Sequence, residues 1–184
     1  MTAMMRTCRP SLEQLWEWLE RIPDPEIPAV SIVDLGIVRD VAWADGADCD
    51  ECVVTITPTY SGCPATDVIG GQIRDTLQSH GVERISLRMR LSPAWTTDWM
   101  APEAREKLRG YGIAPPVGRS ADGPNEYVVD ISSLYRRSRV SPAVACPRCG
   151  SVDTETISQF GSTPCKALHR CKSCLEPFDY FKCH

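Results

Sequence analysis

No run of the sequence approaches the roughly 18 consecutive apolar residues that a membrane-spanning helix needs, so no membrane partner is expected. Residues 1–10 carry arginines but no apolar stretch of the secretory kind, and no secretory signal is expected either. Histidine is scarce: there are three in 184 residues, and none sits in a Glu-x-x-His pair. A carboxylate-bridged di-iron centre is built from such pairs on bundle helices, so the chain offers no oxygen-activating site of its own. A Gly-rich nucleotide loop is absent as well. Positive charge is not in excess. Twenty Lys and Arg face 24 Asp and Glu, for a net charge of −4 and a pI near 5.4. That balance argues against indiscriminate binding of nucleic acid. What remains is ordinary globular material, 42% hydrophobic and 24% charged. Its length allows one medium domain, or one small domain with an appendage.

Cysteine, by contrast, is plentiful, with ten in the chain. Cys146-Pro147-Arg148-Cys149-Gly150 and Cys171-Lys172-Ser173-Cys174 form two Cys-x-x-Cys pairs separated by 21 residues. Each pair can clamp one side of a tetrahedral ion, and the gap leaves room for a small hairpin to bring them together. Gly150 frees the backbone to turn its amides toward the thiolates. A unit of this size cannot bury enough core to fold unaided, so the metal supplies folding energy. Four thiolates with no open position point to structural Zn²⁺. A rubredoxin-like iron or iron–sulfur site uses the same ligand type and is the competing reading. Metal rather than disulfide use of cysteine fits a cytoplasmic location. Cys165, in Gly161-Ser162-Thr163-Pro164-Cys165, is a further thiol: an exchangeable ligand, a free reactive thiol, or a cysteine packed in a small core. Cys183 and His184 are terminal and carry little weight.

In the N-terminal part, Leu12, Leu15, Trp16 and Leu19 lie along one helical face, and Ser11 with Gln14 makes a capping box, predicting a helix over 12–21. Trp18 falls off that stripe. Three prolines in Pro23-Asp24-Pro25-Glu26-Ile27-Pro28 forbid a helix and hold the chain extended. Asp24 and Glu26 on this stiffened loop read either as a solvated acidic loop or as a carboxylate pair facing a metal or a thiol. Residues 32–34 are expected to pair briefly in a sheet, followed by a strand over 37–43 and another from Cys52, together an antiparallel hairpin. Cys49 and Cys52 are spaced as a pair but straddle a loop end, and read as incidental.

The segment from Thr57 to Asp67 reads as strand end, tight loop and helix start. Cys52 to Thr57 is short and β-branched. Pro58 and Gly62 mark a turn. Ala65, Val68, Ile69, Ile73 and Leu77 then recur at helical spacing. Pro64 suits a first helical position, which makes Cys63 the expected cap beside the positive end of the helix dipole. A thiol there is biased toward thiolate, the form that binds metals and attacks electrophiles. A small buried cysteine that merely fits the turn is the alternative. His80 and Gly81 stop the helix. Ile85, Leu87, Met89 and Leu91 alternate with Arg84, Ser86, Arg88 and Arg90, a half-buried strand whose arginine row either docks an acidic partner or is simply solvated. Trp95 and Trp99 share a face if their segment is helical. Pro102 to Arg109 is a short charged helix.

These elements predict a two-layer α/β (α+β) domain with a mixed sheet over residues 11–112, a linker over 113–143 in which only 126–134 is strand-like, and a four-cysteine zinc ribbon over 144–184.

Asp24-Pro25-Glu26-Ile27-Pro28, Ser31-Ile32-Val33-Asp34-Leu35-Gly36 and Thr57-Pro58-Thr59-Tyr60-Ser61-Gly62-Cys63-Pro64 resemble the iron–sulfur assembly domain shared with SufT. Trp95-Thr96-Thr97-Asp98-Trp99-Met100 and the ribbon, with its Gly161 to Lys166 segment, narrow the resemblance. The chain is similar to the PaaD family, the D subunits of phenylacetyl-CoA ring-epoxidising monooxygenases, over residues 12–112 and 144–183. The resemblance implies an accessory protein of phenylacetate degradation without an active site of its own. It implies help in building iron–sulfur or iron centres, and partners among the oxygenase and reductase subunits and the iron–sulfur assembly machinery. A homodimer stays open, and nucleic acid and membrane are not expected as partners. The family's acidic motif maps to Asp24 and Glu26 and its cysteine to Cys63, where a transient iron–sulfur cluster would sit. Two other roles stay open: a non-catalytic structural subunit that docks through the ribbon, and a thiol oxidoreductase, which lacks an adjacent resolving cysteine.

Overall fold

The computed structural model describes residues 9–44, 51–117 and 143–182. The chain divides into two compact units, Met1–Trp95 with Trp99–Ala104, and Thr96–Asp98 with Arg105–His184.

The first unit opens with α1 (Leu12–Glu20). Its capping box forms as the sequence predicts: the Ser11 amide donates to Gln14 Oε1 at 2.9 Å and the Gln14 amide to Ser11 Oγ at 3.2 Å. Leu15 and Leu19 are fully buried, whereas Leu12 is exposed. Trp18 stacks on His80 with ring centroids 4.1 Å apart. β1 (Val38–Ala44) and β2 (Glu51–Ile56) pair antiparallel. α2 (Ala65–Ser79) then carries the chain to β3 (Ile85–Met89), which pairs parallel with β2. The order β1-β2-β3 is therefore a mixed sheet whose parallel pair is bridged by a helix, as a parallel connection requires. Cys52, Val54 and Ile56 on β2 and Ile69, Ile73 and Leu77 on α2 are among its buried residues.

Three local expectations are corrected. The Pro-rich segment is folded back rather than extended: Pro23 bridges to Ser31, and the Asp24 amide donates to the Val30 carbonyl at 2.8 Å. Residues 32–34 form a turn, not a strand. Ser31 and Asp34 exchange hydrogen bonds there, from the Ser31 amide to Asp34 Oδ2 at 2.8 Å and from the Asp34 amide to Ser31 Oγ at 2.9 Å. That local pairing competes successfully with a sheet ladder. Trp95 and Trp99 do not share a helix, because only a short 3-10 turn (Thr97–Trp99) forms. Instead both clamp the Ser31–Gly36 turn and its flank. Trp95 Nε1 donates to the Leu35 carbonyl at 2.8 Å, and the Arg39 guanidinium lies 3.7 Å over the Trp99 ring. Gly36 is required by this closure: its φ is +66°, and a Cβ there would lie 2.4 Å from the Trp99 carbonyl oxygen.

The second unit is a four-stranded sheet in the order β4-β7-β6-β5. The strands are β4 (Ile113–Ala114), β5 (Thr154–Ser158), β6 (Lys166–Cys171) and β7 (Pro177–Phe181). α3 (Pro102–Tyr111) precedes it. Residues 113 and 114, expected in the linker, instead pair parallel with β7 and are buried. Two apolar residues completing a sheet edge gain burial that a linker would forgo. The core gathers Ala114, Val144, Ala167, Phe178 and Tyr180 around Cys146 and Cys171. The strand expected over 126–134, Cys49, Cys183 and His184 lie outside the described residues.

Candidate functional site

The parallel β2–α2–β3 connection places the Thr57–Pro64 loop at the C-terminal end of β2, where Cys63 is partly exposed. Within the loop the Cys63 amide donates to the Tyr60 carbonyl, and its carbonyl accepts from Thr66, each at 3.2 Å. The cap is shifted by one residue from expectation. Pro64 has helical angles (φ −68°, ψ −21°) and is itself the N-cap, so Cys63 precedes the helix. The Ala65 amide, the Thr66 hydroxyl and the Tyr60 hydroxyl still act to lower the proton affinity of the sulfur. The expected bias toward thiolate is overturned all the same. Burial pushes the Cys63 thiol above its ordinary range, against the Ala65 amide, and the nearby Glu26 carboxylate pushes the same way. These influences together favour the protonated thiol over the thiolate.

The two carboxylates of the acidic loop have separate roles. Asp24 is 6% exposed, and its Oδ1 accepts from the Glu26 amide at 2.9 Å and the Ile27 amide at 2.8 Å. It shapes the loop. Glu26 is half-buried and close enough for its charge to act on Cys63. Tyr60 and Thr66 are absent from the sequence-based set of site residues. Their signal was positional only, three residues before and after the cysteine across a turn.

The ribbon brings Cys146, Cys149, Cys171 and Cys174 together, with all four Sγ atoms within 4.8 Å of one another. Sγ of Cys146 lies 3.8 Å from that of Cys174, and Sγ of Cys149 lies 3.5 Å from that of Cys171. A tetrahedral ion with sulfur ligands at about 2.3 Å holds sulfurs about 3.8 Å apart, so the group fits a four-thiolate metal and is too open for disulfides. Each pair sits in a tight knuckle. The Gly150 amide donates to the Cys146 carbonyl at 2.9 Å with Gly150 at φ +75°, and the Cys171 amide donates to the Glu176 carbonyl at 3.0 Å with Leu175 at φ +65°. The Cys174 amide, then burial in opposition, then the Ser173 amide and the Cys149 thiol act on Cys171, pulling it down to about 6. That favours a thiolate at Cys171, and binding of a metal by the group releases protons.

Cys165 lies outside this four-sulfur group. It is buried, with Sγ 3.0 Å from Thr163 Oγ1. The segment around it serves a buried ion pair: Lys166 is 4% exposed and its Nζ lies 3.8 Å from Asp179 Oδ2, which also accepts from Ser162 Oγ at 3.2 Å. His169 is buried against Phe178 and Tyr180 and is not one of the four ligands.

Comparison with known proteins adds the following. Residues 12–87 match the family described as iron-sulfur cluster assembly protein, and residues 132–182 match the PaaD zinc beta ribbon domain. An Escherichia coli (strain K12) protein, named as the 1,2-phenylacetyl-CoA epoxidase component lettered D, is 49% identical over 174 residues, covering 95% of this chain and 94% of its own length. A Porphyromonas gingivalis Fe-S protein maturation auxiliary factor is 36% identical over 98 residues, which is 52% of this chain and 89% of that protein. Among solved structures, a domain of unknown function, DUF59, from Bacillus anthracis is 33% identical over 52% of this chain and 89% of its own, with a TM-score of 0.47.

Proposed function

This chain belongs to the PaaD family, and from that premise we propose that it is an accessory maturation protein of a phenylacetyl-CoA epoxidase, helping to assemble iron–sulfur or iron centres in its partner subunits. One observation carries the reading. The domain matched to iron–sulfur assembly holds a partly exposed cysteine at a strand–helix loop, with Glu26, Tyr60 and Thr66 around its sulfur.

The cargo would be iron or a cluster, engaged through Cys63. A thiol held protonated by burial and by a neighbouring carboxylate is unreactive until a cation arrives. Positive charge beside Glu26 and Cys63 reverses the electrostatics, favours loss of the proton and permits ligation. Asp24 would keep Glu26 in place through the loop amides. The ribbon would hold one Zn²⁺ on Cys146, Cys149, Cys171 and Cys174, a structural ion that supplies folding energy. Clients would be the oxygenase and reductase subunits, with the assembly machinery as cluster source, in the cytoplasm. Among the described residues, no helix is long and apolar enough to cross a membrane.

The test is Cys63→Ala in a strain that depends on this pathway. Maturation predicts client subunits deficient in iron or cluster, and restoration of turnover on adding iron, sulfide and reductant to the purified oxygenase. A second reading, a structural subunit that docks through the ribbon, is favoured by the exposed apolar side chains of Leu175, Phe160 and Val152. It predicts metal-replete, active clients in the Cys63→Ala strain and failure only on removal of the ribbon.

A further inference from the structure

The three-stranded sheet carries its helices on one face. Leu87 of β3 faces α2, since its Cδ1 would lie 3.3 Å from a Cβ built at Gly70. Alternation then turns Arg88 to the opposite face, where register places Asp40, Thr55 and Arg88 in one cross-strand row. A groove of about 330 Å³ runs there, lined on this face by residues that include Ala42, Val53 and Thr55. Arg88 and Arg90 also line it. Both are exposed, and neither has a carboxylate partner among the described residues. Among the described lining residues Asp40 is the only carboxylate, against the two arginines, on a chain whose net charge is −4. Nearby Arg39 feels this crowding: burial first, and the Arg90 charge second, lower its proton affinity. β3 is also a sheet edge, with its outer backbone unpaired among the described residues, and Met89 and Leu91 beside it are 55% and 52% exposed.

We propose that this groove and the β3 edge dock an extended acidic segment of a partner protein. Carboxylates of the segment meet Arg88 and Arg90 on one face, the alternate apolar side chains meet the exposed Met89 and Leu91 on the other, and its backbone runs along β3. Unpaired main-chain groups beside the groove favour a polypeptide, because strand addition supplies affinity through the backbone and specificity through alternate side chains. Excess positive charge selects the sign of the partner. The proposal does not depend on the cargo assigned to Cys63.

The test titrates a short synthetic peptide of alternating glutamate and valine, and its lysine–valine counterpart, onto the zinc-loaded full chain, followed by backbone amide shifts. The acidic peptide should bind, shift amides of β1–β3 and weaken as salt rises. Arg88→Gln with Arg90→Gln, on exposed side chains, should cost at least about tenfold in affinity, roughly the 1.4 kcal/mol of one decade. Should the double variant not fold, Arg90→Gln alone and the salt titration of the unaltered chain carry the comparison. Absence of binding, equal binding of the lysine peptide, shifts away from this sheet, or undiminished binding by the folded variant would each overturn the proposal.

Discussion

Replacing Lys166 with Met should destabilise the ribbon, and replacing Asp179 with Leu in the same chain should restore most of the loss. Lys166 is 4% exposed and sits 3.8 Å from Asp179 Oδ2, whose side chain is 25% exposed. At that separation, with the effective dielectric of about 20 that suits protein sites, the gross attraction is about 4 kcal/mol. Desolvation of the ammonium offsets much of it, so the pair as a whole contributes little net stability. Removing one partner is different, because it leaves the other charge uncompensated, typically at about 3–5 kcal/mol. Asp179 keeps its hydrogen bond from Ser162 and partial contact with water, so the loss for Lys166→Met should lie below that range, near 2 kcal/mol. In a domain of this size that lowers Tm by roughly 8–16 °C. The assay is thermal unfolding of the zinc-loaded chain at fixed zinc concentration, for both single variants and the double. A drop below about 1 kcal/mol for Lys166→Met, or a double variant whose loss is the sum of the singles, would refute the argument.

Other expectations follow from the same geometry. Freshly purified protein should contain one zinc per chain by elemental analysis, and Cys149→Ser should lose the metal and unfold the ribbon; iron in zinc's place would favour the rubredoxin-like assignment. Alkylation of Cys63 should be slow at neutral pH and rise about tenfold per pH unit toward the raised pKa, with Glu26→Gln faster at each pH; a rate independent of pH would sink the protonated-thiol reading. Cys52 is wholly buried and pushed up to about 11, chiefly by burial, so the folded chain keeps a proton that the unfolded chain releases above about 9. Unfolding free energy should therefore fall by about 1.4 kcal/mol per pH unit between roughly 9 and 11, relative to Cys52→Ala, and parallel curves for the two chains would contradict this.

Elements set by local chemistry were legible in the sequence. The Ser11–Gln14 box marks the start of α1, β-branched residues mark β2, and helical spacing marks α2. The paired Cys-x-x-Cys motifs mark the ribbon, because each motif needs only a tight turn to point both thiols one way. Other elements depend on distant partners. Residues 32–34 look like a strand until Ser31 and Asp34 satisfy each other's amides. Trp95 and Trp99 look like a helical pair until Leu35 and Arg39 offer a carbonyl and a cation from elsewhere in the chain. Ile113 and Ala114 follow Gly112 and precede prolines, which reads as linker. Only the presence of β7 turns them into a strand.

Cys63 shows where reading by position stops. Spacing correctly puts a cysteine between β2 and α2, with helix-start donors within reach, and from that alone a lowered pKa follows. The sign of the net shift depends on quantities that spacing does not contain. One is how far the Thr57–Pro64 loop packs down, since burial is the largest influence on the thiol. Another is the path of the Pro-rich segment. Read as extended, it leaves Asp24 and Glu26 equivalent. Folded back by the Pro23–Ser31 bridge, it engages Asp24 with its own amides and leaves the Glu26 charge to act on Cys63. The carboxylate and the thiol are distant in sequence and coupled in space, and the coupling opposes the helix start. Such an arrangement suits a thiol that must ignore bystander electrophiles yet yield its proton to a metal cation, because the feature that suppresses ionisation in the free protein, a nearby negative charge, is the one that attracts the cation.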